Sequence, residues 1–76
     1  MATKEIMEQR QEELFRLFKM AIAAEQEAQQ MYKKAADCCD DKDIRVIFQN
    51  FVIDEAQHET RLIDMYKDFK PGFVTE

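Results

Sequence analysis

Glycine and proline are almost missing from this chain, which has one of each, adjacent at Pro71-Gly72. Nothing before that pair interrupts a helix, so helical runs can extend over most of the 76 residues. Tryptophan is absent and histidine occurs once, at His58. Basic residues number 11 against 16 acidic ones and are interleaved with them, which excludes the basic stripe that a nucleic-acid partner requires. No apolar run approaches the roughly 20 residues needed to cross a bilayer, and the start lacks a basic segment followed by an apolar one. The expectation is a cytoplasmic protein with no membrane and no nucleic acid among its partners. The two cysteines, Cys38 and Cys39, are neighbours in sequence, a poor arrangement for bridging each other and unlike the C-x-x-C spacing of a metal site. They read as reduced thiols near a helix end.

What is present points to helices. Hydrophobic residues at 46% and charged ones at 36% describe neither a disordered tail nor a membrane protein. A single core of this size rarely supplies more than roughly 3–5 kcal/mol without a metal, a disulfide or oligomerisation. Thr3 is a suitable N-cap, with Glu5 in the first turn, and from Lys4 the chain is rich in good helix formers. The credible internal turn is Cys38-Cys39-Asp40-Asp41-Lys42-Asp43, where Asp40 or Asp41 can cap a second helix. The reading is all-α: one domain over 1–76, with a helix at about 4–39, a turn at about 40–42, a second helix at about 42–69 and a tail at 70–76. So short a connection makes an antiparallel two-helix hairpin.

Each helix carries an apolar row with alternating steps of four and three. The first is Leu14, Phe18, Ala21, Glu25, Ala28, Tyr32, Ala35, Cys39; the second is Ile44, Phe48, Phe51, Glu55, His58, Leu62, Met65, Phe69. Such a row is the face that a helix buries, so Glu25, Glu55 and His58 are predicted to point inward. Burying an ionised carboxylate costs several kcal/mol unless it finds a partner. Glu55 and His58, at i and i+3, share a face and can hold one ion together. Glu25 and Glu55 lie at matching distances from Asp40, so antiparallel packing brings them to one height. A metal ion then accounts for all three. The competing reading pairs His58 with Glu25 or Glu55 and needs no metal. Glu27 and Glu59 read as solvated charges.

One hairpin supplies two carboxylates and one imidazole, which is half a site. Further apolar residues, Leu17, Ile22, Ala24 and Met31 on the first helix and Val46, Ile47, Val52 and Ile63 on the second, invite association. Pairing two hairpins about a twofold axis makes a four-helix bundle with four carboxylates and two histidines. That is the set by which bundle proteins hold two iron or manganese ions.

The run Ala21-Ile22-Ala23-Ala24-Glu25-Gln26-Glu27-Ala28 with Tyr32, followed by Asp54-Glu55-Ala56-Gln57-His58, resembles the rubrerythrin branch of the ferritin-like superfamily. Carrying half a bundle per chain, this sequence is most similar to the two-helix encapsulated ferritins. The resemblance implies a di-iron ferroxidase that oxidises Fe2+ to Fe3+ at a site shared between two subunits, for iron storage or detoxification. It makes Glu25, Glu55 and His58 the iron ligands, with Mn2+ as the other candidate ion, and Tyr32 a hydrogen-bond partner behind them. It also implies a homodimer across the site, a ring-like higher oligomer and residence in an encapsulin shell. Glu27 would bind iron on its way in, although its companion position here is Ala24, and no encapsulin-targeting peptide is evident after Phe73. The alternatives are a rubrerythrin-like peroxidase with an external electron donor, and a non-catalytic helical dimerisation module.

Overall fold

The protein is seen in a computed structural model that describes residues 3–74, with side chains through Phe69. It consists of α1 (Lys4–Cys38) and α2 (Lys42–Val74), with no strand among the described residues. Thr3 caps α1 by accepting the Ile6 N–H on Oγ1 at 3.2 Å, a contact generally worth about 1 kcal/mol. α1 stops where Cys39 turns extended, at φ −93° and ψ 121°. The Arg45 guanidinium then reaches back from α2 and donates twice to the Cys39 carbonyl, at 3.1 and 2.8 Å. Asp41 caps α2, its Oδ1 accepting the N–H groups of Asp43 and Ile44 at 2.9 and 3.1 Å.

α2 differs from expectation at its far end. It runs through Pro71 and Gly72 to Val74, past the stop anticipated at Phe69. Proline forfeits one backbone hydrogen bond, but its fixed φ is already helical, so the backbone can continue with a missing rung. Residues 75–76 of the anticipated tail lie outside the described residues.

The helices lie side by side with opposite directions. Phe15 packs edge-on against Tyr66 with centroids 5.6 Å apart, whereas Tyr32 meets Phe48 at 6.3 Å and Phe51 at 5.2 Å. Phe18 adds contacts to Tyr66 and Phe69. The result is a rod of 57 × 17 × 17 Å with a radius of gyration of 17.5 Å, against about 11 Å for a compact chain of this length. It exposes 6181 Å2, where a compact protein of its mass would expose about 4,900 Å2. Among the described residues only Phe18 and Ala36 are buried.

The seam keeps the first anticipated row, buried or half-buried from Phe18 to Cys39, but is rotated off the second. Phe15, Ile22 and Gln29 on α1, and Val52, Glu59 and Tyr66 on α2, are half-buried between the helices. The row members Leu14, Ile44, Phe51, Met65 and Phe69 are instead 39–49% exposed, with Leu17 and Ile47 beside them equally open. At 100° per residue these exposed positions lean to one side of the seam on both helices. One chain therefore presents a broad apolar face on one side and, on the other, polar residues such as Gln26 and Gln49. Two helices have only one seam to offer, so the wider apolar sectors of the sequence cannot all be covered within one molecule.

Candidate metal centre

Glu25 projects from the middle of α1 toward Glu55 and His58 on α2, and one ligand atom from each lies within 4.8 Å of the others. His58 Nδ1 stands 3.7 Å from Glu25 Oε2 and 3.6 Å from Glu55 Oε1. Both separations are too long for hydrogen bonds, so the imidazole is not satisfied by a direct carboxylate contact. Donor atoms around one ion bonded at about 2.0–2.2 Å sit roughly 3.0–3.5 Å apart, so a small contraction would close this group on a cation.

The electrostatics agree with that geometry. The Glu25 and Glu55 side chains are only 22% and 21% exposed. Glu25 Oε2 is buried with no hydrogen-bond partner. The Glu25 carboxyl is held above its ordinary range, first by hydrogen-bonding contact with Glu55, then by burial and the Glu55 charge, with His58 opposing. Without a metal, one carboxylate is crowded by another in a half-dry place. A cation relieves both the orphaned oxygen and the repulsion, so the residues present fit a bound metal. Two carboxylates with one imidazole suit iron or manganese, and three groups leave coordination positions open.

His58 itself is 54% exposed, contrary to its anticipated inward position. It opens onto the uncovered apolar face, because the face that its row defines is the one a single chain leaves bare. Tyr32 is half-buried against Phe48 and Phe51, and its hydroxyl makes no hydrogen bond to Glu25 or Glu55 among the described residues. Glu27 is exposed and, two residues after Glu25, points away from the seam.

Glu59 departs from its reading as a solvated charge. It is half-buried, and both its oxygens are held: Gln26 Nε2 donates to Oε2 at 2.7 Å and Gln29 Nε2 to Oε1 at 2.8 Å. These bonds, that from Gln29 first, lower the carboxyl's pKa below its ordinary value.

Among the described residues, no helix is long and apolar enough to cross a membrane. A family model, that of rubrerythrin, matches residues 16–75. No curated protein and no solved structure matches the chain. The matched segment contains Glu25, Glu55 and His58 and most of both helices, and this chain accordingly belongs to the rubrerythrin family, a ferritin-like family of iron-binding proteins.

Proposed function

We propose that the chain is the half-bundle subunit of a di-iron ferroxidase, with Fe2+ as substrate and the site completed by a second copy. The observation that carries this reading is the orphaned Glu25 Oε2, set beside Glu55 and His58 at the edge of an uncovered apolar face. A second hairpin laid on that face about a twofold axis forms a four-helix bundle and brings the ligand groups to four carboxylates and two imidazoles. The surplus of exposed surface over a compact protein, roughly 1,300 Å2 by the scaling used above, exceeds the ~800 Å2 per partner of a standard stable interface. Manganese is the other ion this set admits. A ring of such dimers, and residence in an encapsulin shell, extend the proposal through the likeness to encapsulated ferritins.

Glu25 and Glu55 would hold the ion by oxygen and His58 by nitrogen. Hard carboxylate oxygens stabilise Fe3+ over Fe2+, so binding itself favours loss of an electron. Two Fe2+ ions supply the two electrons that reduce O2, with two protons, to H2O2, or H2O2 to two molecules of water. The surrounding apolar face would exclude bulk water once covered.

Stopped-flow mixing of the protein and Fe2+ with O2 or with H2O2 tests the reading. The expected result is oxidation by O2 well above the rate of free Fe2+, saturating near one iron per chain. Acceleration by peroxide alone would replace the ferroxidase with a peroxidase. Acceleration by neither would leave a dimerisation module.

A further inference from the structure

We infer that Gln26 and Gln29 are positioning residues that hold the Glu59 carboxylate off the bound ion, so that each chain offers three ligand groups and not four. This rests on the metal reading of Glu25, Glu55 and His58.

Glu59 stands one turn after Glu55, the spacing at which two helical carboxylates can grip a common ion. It follows His58 directly in sequence, yet it is not part of the group that Glu25, Glu55 and His58 form. A carboxylate with a free rotamer in that place would compete for any cation bound by Glu55. Here both oxygens are engaged on α1 instead: each takes an amide N–H, at 2.7 and 2.8 Å. The restraint comes from neutral donors. Amide groups do not titrate in the working pH range, do not repel a cation, and leave Glu59 its charge. A lysine there would neutralise the carboxylate, and an apolar residue would release it.

The consequence concerns specificity for the redox role. A fourth protein ligand would tighten the grip on the ion and occupy a position that an oxidant or departing product needs. Two amides therefore keep the centre open without removing negative charge from its surroundings.

The test uses Co2+ as a probe of the intact chain, because its visible absorption weakens as coordination number rises. Wild type is compared with Gln26→Ala/Gln29→Ala and with the triple variant that adds Glu59→Ala. Alanine favours helix at both positions, and circular dichroism checks that it persists. The expected result is that the double variant binds Co2+ on the order of tenfold more tightly, with weaker visible absorption, and that the triple variant returns to wild type in both. Gln26→Asn/Gln29→Asn, whose amides are one methylene too short, should behave like the double alanine variant. A double variant indistinguishable from wild type, or a triple variant that stays like the double, overturns the inference while the metal site stands. Failure of the wild type to bind Co2+ overturns the metal reading and this inference with it.

Discussion

Replacing Glu25 with glutamine should make the metal-free chain more stable at neutral pH while weakening its hold on Fe2+ or Co2+ by about a hundredfold or more. The opposite signs come from one cause. Glu25 is crowded by Glu55 and partly buried, and its carboxyl is raised above 4.5. Between 4.5 and that raised value the folded chain binds more protons than the unfolded one, so stability falls as pH rises through the window. Glutamine imitates the protonated acid: it is uncharged and can donate to Glu55. Its advantage should therefore be full above the folded pKa of Glu25 and vanish below 4.5. Glu59, with its lowered pKa, contributes stability that is lost as acid protonates it, but both proteins carry it and the difference cancels. Thermal unfolding in a chelator, at one protein concentration and several pH values, measures the first effect, and Co2+ titration the second. A variant less stable than wild type at pH 7 would mean that Glu25 already has a partner that the amide cannot replace.

The second large effect belongs to the exposed apolar face. Phe51 lies on it, 40% exposed, in the same row as Glu55 and His58. Changing Phe51 to aspartate should block pairing and abolish Fe2+ oxidation together, while leaving each chain helical. Burying a phenylalanine side chain is worth about 1.5–3 kcal/mol. A twofold interface contains it twice, so the pair should weaken by roughly a hundredfold to ten-thousandfold. Sedimentation velocity with and without Fe2+ reads this directly. In the wild type, metal that binds only the paired form should shift the distribution toward dimer or larger species. A Phe51→Asp chain that pairs normally would place the interface elsewhere.

How far the sequence led can be judged from particular residues. Glu25, Glu55 and His58 stood out because each breaks an apolar row at helical spacing, and the structure brings the three together. The helix start at Thr3 and the turn at Asp41 were legible because capping is local chemistry. The first row does lie toward α2, but the face on which the second row packs was not legible. Hydrophobic periodicity reports how wide an apolar sector is, and it does not say which part of that sector the neighbouring helix covers. Hence Phe51 and His58 are open here, while the polar Gln29 and Glu59 occupy the seam. Glu59 escaped notice because a composition pattern shows polarity but not pairing: its two amide partners are 33 and 30 residues away in sequence. The continuation of α2 past Pro71 shows the same limit, since a proline signals a lost hydrogen bond more surely than a stop.

Diffraction from iron-loaded crystals, with anomalous data collected at the iron edge, most directly tests the proposal that two chains share one centre. Two iron peaks should appear between paired chains, related by a twofold axis, each within bonding distance of Glu25, Glu55 and His58. Peaks bound elsewhere, or a loaded chain whose three ligand groups face bulk water with no second copy across them, would contradict it.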